Sequence, residues 1–316
     1  MSSFLSVTSP KISLVLLAFN QESLVRESID SILSQDYENL EILLSDDCST
    51  DKTYELMSEA YNSYSGPHRL LLNRNDCNMG IGPHVHYAGS LTSGDYIVMA
   101  AGDDISLPGR VSHSVDVLRR EGELGCVIGR YHPFTDTFND AGDWQPKHSK
   151  DGYVLRGGSE DWFELFSRGK LVGTPGAVAM WNRKLFSLFG PIPEGVIAED
   201  VVLANRCLIA GLGAGFTVNK FVLYRQHAKN ICAGVSRSDF EGQVFFTRAL
   251  AMSDLRSFRK KYPDQHTPGY WKKIEMMIEG ALYRSIIQIR KPYIGWFKSR
   301  LLFLLGLRPL RCFISD

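Results

Sequence analysis

The chain has 316 residues, 44% hydrophobic and 22% charged, which is enough for one large α/β domain or two small ones around a substantial core. Lysine plus arginine and aspartate plus glutamate number 35 each, so the one-signed field of a general nucleic-acid binder is excluded. The opening MSSFLSVTSPK lacks the basic head and apolar core of a secretion signal. The run ISLVLLAF has eight residues, where a bilayer span needs about 18 to 20.

That run (12–19) is continuously apolar and rich in branched residues, and it reads as a strand covered on both faces. After Asn20, residues Val25, Ile29, Ile32 and Leu33 recur at helical spacing. LEILLS (40–45) is the second strand, and Thr50 or Asp51 is placed to cap a helix carrying Tyr54, Met57 and Tyr61. RLLLN (69–73) is the third, followed by a glycine-containing segment and a helix towards Thr92. DYIVMAA (95–101) is the fourth. Pro108 then stands where a first helical turn accepts proline, with Val111, Val115 and Leu118 on one face.

Strand and helix alternating in units of about 30 residues imply parallel pairing with right-handed crossovers. Ligands then bind at the carboxyl ends of the strands. The acidic stretches SDDCSTD (45–51) and AGDD (101–104) both lie at such ends.

Further on, ELGCVIGRYHPF reads as a strand, Ser159 is placed to cap a helix EDWFELFSRG, and PGAVAMW is a short apolar run. Glu199 and Asp200 open a helix, EDVVLANRCLIAG, that ends at Gly211, and two strands, AGFTVN and FVLYRQH, follow. From Asp239 onward only helices are expected, so a boundary is placed near 235, after a donor half of about 10–120 and an acceptor half of about 121–235. The six cysteines (Cys48, Cys77, Cys126, Cys207, Cys232 and Cys312) have no CxxC spacing and read as reduced thiols of a cytoplasmic protein.

Each acidic pair has two readings. Asp103 and Asp104 either cap a helix beginning near Leu107 or hold Mg²⁺ or Mn²⁺, ions that bridge carboxylates to substrate phosphates. Asp46 and Asp47 either shape a turn or accept hydrogen bonds from a nucleobase or ribose. Glu199 and Asp200 either complement a helix dipole or supply a general base, ionised at pH 7 with a pKa near 4. His227 is a hydrogen-bonded histidine or a ligand. No GxGxxG follows the first strand and no GxxxxGK[ST] or GxSxG occurs, which removes the dinucleotide, P-loop and nucleophile-elbow readings.

Four stretches in register resemble the inverting family 2 glycosyltransferases of bacterial polysaccharide type. They are SLVLLAFNQESLVRESIDSILSQDYENLEILLSDDCSTDKT, NMGIGPHVHYAGSLTSGDYIVMAAGDD, AEDVVLANRCLIAG and YRQHAKN, which together span about 10 to 231. The resemblance implies a GT-A fold: an α/β protein with a mostly parallel, Rossmann-like sheet flanked by helices, here followed by a helical C-terminal extension. It implies donor-binding roles for Asn20, Asp46, Asp47, Asn78, Gly80, Asp103 and Asp104, with Asn20 near the base. Glu199 falls on the acceptor side and Asp200 at the catalytic base. The implied Mn²⁺ or Mg²⁺ would use Asp103, with Asp104 and His227 as further ligands. Two departures stand out: Ala101 replaces the first acid of the D-x-D motif, and Val85–His86 replace an Arg-Asn pair. The Q-x-x-R-W element of processive synthases is absent.

The expected activity is a single hexosyl or deoxyhexosyl transfer from a UDP- or dTDP-sugar to a saccharide hydroxyl, the acceptor lipid-linked, in O-antigen or capsule synthesis. The alternatives are a catalytically impaired scaffold and a sugar nucleotidyltransferase, although the latter would need a glycine-rich N-terminal phosphate loop. Between Arg284 and Arg311 stand seven basic residues and no acidic one, interleaved with Trp296, Phe297 and LLFLLGL. This tail reads as a packed helix pair or as an interfacial helix on an anionic membrane, which would make the protein peripheral on the inner face of the cytoplasmic membrane.

Overall fold

Strand β1 (Ile12–Ala18) is buried along its whole length because it is paired on both edges. It runs parallel to β2 (Leu40–Asp46) on one side and to β4 (Tyr96–Ala101) on the other. β3 (Arg69–Arg74) extends this parallel block beyond β2. Ile12, Leu14, Leu16 and Ala18 face a core shared with α1 (Val25–Leu33), α2 (Thr53–Ser63) and α4 (Arg110–Glu121). Val15 and Leu17, on the opposite face, are equally removed from water, and α3 (Ile81–Ser90) buries Val85 and Ala88. A strand covered on both faces is a nearly continuous apolar run, and the one polar side chain of β1, Ser13, is hydrogen-bonded to Glu41.

The computed structural model describes residues 9–135, 152–159, 176–228, 230 and 236–288. The chain divides into two compact units, Met1–Gly234 and Val235–Asp316. In the first, the sheet order is β3-β2-β1-β4-β8-β6-β9-β5, with β7 also on β9. Here β5 is Ile105–Ser106, β6 Cys126–Phe134, β7 Tyr153–Leu155, β8 Ala179–Asn182 and β9 Ala214–Arg225. Helices α5 (Lys184–Ser187) and α6 (Glu199–Ala210) complete this unit, and Gly211 ends α6 in a left-handed conformation, φ 74°. The second unit contains α7 (Arg237–Lys261) and α8 (Pro268–Gln288), joined through a 3₁₀ turn at Pro263–Gln265. Among the described residues no helix is long and apolar enough to cross a membrane.

The structure refines the sequence reading at several points. The sheet is parallel from β3 to β4 but mixed beyond it, where β8 runs antiparallel to both β4 and β6. AGFTVN and FVLYR are one strand, because β9 itself absorbs the break: Lys220 pairs with Arg130, while residues 217–219 and Phe221 are extra residues on β9 with no register partner on β6. Pro108 lies outside its helix: Gly109, at φ 76°, precedes α4 and the first helical residue is Arg110. Asp51 accepts from Thr53, although Lys52 is the residue at the helix boundary. The helix placed after Ser159 falls on residues 160–169, outside the described residues, as do residues 289–316 of the tail.

At the amino edge of the sheet, Glu41 is a fully buried carboxylate. Burial pushes its pKa up, but the Lys11 ammonium at 2.7 Å and hydrogen bonds from Ser93 and Ser13 prevail and hold it at about 2. A depressed carboxylate contributes stability that is complete above its unfolded value near 4.5 and is lost as pH falls through about 2. Glu41→Gln is therefore expected to cost about 3 kcal/mol at pH 7. It should also flatten the stability profile between pH 4.5 and 2, as read by urea unfolding across that range.

Candidate active site

The carboxyl ends of β1, β2 and β4 meet at one edge of the sheet. Backbone bonds carry the ladder past the strands, from Asp47 N to Ala18 O and from Gly102 N to Leu17 O, both 2.9 Å. Phe19 is 42% exposed at this edge. Asn20 follows in the left-handed region, φ 52°, which asparagine tolerates better than most residues. Its Oδ1 accepts from Thr50 N at 2.8 Å and its own N–H donates to Ser49 Oγ at 2.9 Å. Asn20 therefore clamps the SDDCST turn, where Cys48 also adopts φ 61°.

Asp46 and Asp47 are buried and do different things. Asp46 Oδ2 accepts from Ser49 N at 2.9 Å and pairs with Arg74 at 3.5 Å. Its Oδ1 is buried without a hydrogen-bond partner among the described residues, a costly condition that an incoming N–H or O–H would relieve. Asp47 is fully used by the protein. It accepts from Asn75 Nδ2 at 2.7 Å, Met79 N at 2.9 Å and Gly80 N at 3.0 Å. Asn78 is exposed and its Oδ1 also receives Gly80 N, at 3.1 Å. Asp47 thereby sets the loop that leads into α3 through Gly80, φ 75°.

Beneath this loop lies a network invisible as a motif. Asn75 receives Asn73 Nδ2, which also donates to Ser45 Oγ, and Ser45 meets His84 Nε2 at 2.8 Å. Burial lowers the His84 pKa against the pull of Asp47 and Asp46. Of the two positions that depart from the family pattern on α3, Val85 is buried and His86 packs beside Phe186.

At the end of β4, Gly102 has no room for a side chain. A Cβ there would lie 2.4 Å from Gln21 Oε1 and 2.8 Å from Ala18 Cβ. Asp103 follows, and its Oδ2 lies 3.0 Å from His227 Nε2, so the structure brings together two residues 124 positions apart. Asp104 turns inward, accepting Arg225 N at 2.9 Å. Burial and the Asp103 charge push its pKa up, and Arg225 and Arg110 oppose this only in part. Neither acid caps α4.

Arg225 is the residue that sequence reasoning missed. Its Nε donates to Asp103 O at 3.0 Å, its guanidinium lies 4.6 Å from the Phe134 ring centre, and it pairs with Glu27. The available signal was the alternation Arg225-Gln226-His227 at a strand end, which puts both residues on one side.

Asp200 and Glu199 open α6. Asp200 accepts Val201 N at 2.7 Å and Gly176 N at 3.3 Å. A Cβ on Gly176 would lie 2.8 Å from Glu199 Oε1. The 3₁₀ turn Gly176–Val178 is held from the other side by Arg110. This guanidinium donates to Ala177 O and to Met99 O of β4, both at 2.6 Å, and to Ser106 Oγ at 2.9 Å. The expectation of an ordinary carboxylate pKa is corrected here. Burial, with Asp200 beside it, lifts Glu199 to about 8, and burial lifts Asp200 to about 6 despite its two N–H donors.

Asp103 and His227 supply one carboxylate and one imidazole, donors that suit Mn²⁺ and, for the oxygen, Mg²⁺. Among the described residues no cluster of three or more His, Cys, Asp or Glu groups could hold an ion. The residues present fit an ion that takes the rest of its coordination from phosphate and water.

The model of the family described as Glycosyl transferase family 2 matches residues 13–177. The putative glycosyltransferase EpsE of Bacillus subtilis is 37% identical over 120 residues, 38% of this chain and 42% of EpsE. WfaP of Escherichia coli, a UDP-Glc:alpha-D-GlcNAc-diphosphoundecaprenol beta-1,3-glucosyltransferase, is 26% identical over 110 residues, 35% of this chain and 42% of WfaP. The chain thus spans less than half the length of these relatives. The structure of S. aureus TarS 1–349 in complex with UDP-GlcNAc superposes with a TM-score of 0.59 at 16% identity, covering 88% of this chain and 80% of TarS. At that identity the likeness is one of fold.

The strained turn in front of the site offers a direct check. A left-handed residue with a side chain costs about 1–2 kcal/mol, and glycine's extra freedom when unfolded offsets about half of the gain from replacing it. Cys48→Gly is expected to stabilise the protein by about 1 kcal/mol in urea unfolding, and the β-branched Cys48→Val to destabilise it.

Proposed function

The chain belongs to glycosyl transferase family 2 and has the GT-A fold, and from that premise we propose that it transfers one sugar from a nucleotide diphosphate to a saccharide hydroxyl with inversion. The observation that carries this reading is the chain of contacts from the Asp103–His227 pair, through the end of β4 and Arg110, to Asp200. On this reading a phosphate-side group and a base share one scaffold. A UDP-sugar is favoured over a dTDP-sugar as donor, because WfaP is named for UDP-Glc and TarS was solved with UDP-GlcNAc. WfaP's acceptor, a diphosphoundecaprenol-linked sugar, supports a lipid-linked saccharide here, in bacterial surface polysaccharide synthesis at the inner face of the cytoplasmic membrane, with the basic C-terminal region towards an anionic lipid surface.

In this reading Asp46 Oδ1 accepts from the nucleoside, and Asp47 holds the Met79–Gly80 backbone that borders it. Asp103 and His227 would hold Mn²⁺ or Mg²⁺, which offsets the charge of the departing diphosphate. Asp200 takes the proton of the acceptor hydroxyl as the new carbon–oxygen bond forms at the anomeric carbon. The bond from that carbon to the phosphate oxygen breaks on the opposite face, and the nucleoside diphosphate leaves. Burial raises both acids and the Asp200 charge raises Glu199 further, while the Val201 and Gly176 N–H groups favour the charged form of Asp200, so the pair favours a single negative charge there. One negative charge is then available for the base.

The non-catalytic reading draws on Ala101, Val85 and His86, since buried Val85 offers nothing to a diphosphate. Two experiments separate the readings. Asp200→Asn should lower the transfer rate about 10²-fold or more with nucleotide affinity unchanged. Because the base must be deprotonated, wild-type kcat/KM should fall as pH drops through about 6; near-wild-type transfer by the variant sinks the base assignment.

In a thermal-shift panel of UDP, dTDP and GDP with and without Mn²⁺, one nucleotide is expected to stabilise the protein in a metal-dependent way. The gain should be about 2.7 kcal/mol at 100 times its Kd, and it should be lost in Asp103→Asn. A flat panel would favour the non-catalytic reading.

A further inference from the structure

The turn between α7 and α8 carries an unusual density of positive charge. Between Asp254 and Glu275, which border the stretch, stand Arg256, Arg259, Lys260, Lys261, Lys272 and Lys273, with Asp264 the one acid inside it. All but Lys273, which is half-buried, are exposed. The helix dipole accounts for Arg259, Lys260 and Lys261, which sit in the last turn of α7. It gives no reason for Lys272 and Lys273, which stand near the opposite, amino end of α8, where the first turn holds no acid.

The turn is also rigid in a way that fixes these charges. Phe258 and Trp271 are buried in it, and Trp271 Nε1 donates to Pro263 O at 3.0 Å. His266 lies 4.1 Å from Tyr270 and 4.7 Å from Trp271, ring centre to ring centre. Arg259 packs 5.9 Å from the Trp271 ring and pairs with Glu275 at 3.2 Å, and Lys261 lies over Tyr262 at 5.2 Å. Thr267 closes the start of α8 by accepting from Tyr270 N at 3.3 Å.

One turn along α8 from Lys272, Met276 is 62% exposed, and Tyr283 is 41% exposed two turns further. Positions 272, 276 and 283 share one helix face, which also carries exposed Glu279 between Met276 and Tyr283, so the basic and apolar part of this face ends at Met276. A lysine with an apolar side chain at its level matches a headgroup boundary, where charge and apolar surface are needed together. Four of the six cations are lysines, point charges suited to many loosely placed phosphates.

We propose that the α7–α8 turn docks on an anionic lipid surface, with Arg256, Lys260, Lys261 and Lys272 at the headgroups and Met276 beside them. This deepens the membrane reading above by assigning it to this turn in place of residues 289–316, and it does not depend on the transfer chemistry.

Flotation with phosphatidylcholine vesicles, with and without phosphatidylglycerol, tests it on three full-length proteins. These are wild type, Lys260→Gln/Lys261→Gln/Lys272→Gln, and Lys291→Gln/Lys298→Gln/Arg300→Gln, each first matched to wild type in thermal melting. At about fivefold per cation, the turn variant should lose about 100-fold in binding to the anionic vesicles, and the tail variant should keep it. Wild-type binding by the turn variant overturns the proposal, and loss in the tail variant alone returns the membrane role to the tail. Absence of binding by wild type removes both, and binding to duplex DNA with none to vesicles replaces lipid with nucleic acid.

Discussion

A single guanidinium with no access to water joins the two chemical ends of the candidate site. Arg110 is 1% exposed and spans from β4, at Met99 O, to the Gly176–Val178 turn, at Ala177 O. A buried cation is tolerable only when its donors are satisfied and a counter-charge is near. The carbonyls and Ser106 provide the first, and the field of Asp104 the second. Burial lowers the Arg110 pKa to about 9, still far enough above neutrality to keep it charged. Asp104, adjacent to Asp103 in sequence, gives one oxygen to Arg225 N, while its Oδ2 is buried without a hydrogen-bond partner among the described residues. The turn that Arg110 holds delivers Gly176 N to Asp200.

The strand ends impose the second constraint. Parallel pairing in register, Leu17 opposite Ala101 and Ala18 opposite Asp46, brings SDD and GDD to the same edge. Gly102 is the only residue type that fits against Ala18 and Gln21, and Asn20 must turn left-handed to reach Thr50. Acids in these turns are held by backbone that cannot easily relax. That rigidity is what a site that must meet a ligand in one geometry requires.

Much of the first 120 residues was legible because β1, β2 and β4 are mostly apolar runs and apolar residues of the intervening helices recur at helical spacing. Local pattern stopped being informative where partners are distant. The two-residue strand β5 exists only because β9 pairs with it across more than 100 residues. Asn219 and Lys220 look like a break and do not end the strand, because β9 bulges there against β6 and then resumes its pairing. The roles of Arg110 and Arg225 come from carbonyls 67 and 122 positions away. The network through Asn73, Asn75, Ser45 and His84 has no spacing that would mark it, since it crosses three elements.

Burial is the property least visible in sequence, and it decides what the acids can do. Asp103–Asp104 and Glu199–Asp200 each look like two equivalent carboxylates. In the fold, each pair is divided by the donors its members can reach. Asp103 faces an imidazole while Asp104 faces an interior that pushes its pKa up. Asp200 collects the Gly176 and Val201 N–H groups, and Glu199, next to it and equally desolvated, rises further. Two charges close together in a poorly hydrated place repel, so the better-solvated or better-bonded partner keeps the charge. A base lifted to about 6 remains ionised at neutral pH yet holds a proton more firmly than an exposed aspartate would, which is the compromise that proton abstraction favours. On the proposed reading, the desolvated acid beside Asp200 serves the chemistry by leaving the charge to its neighbour.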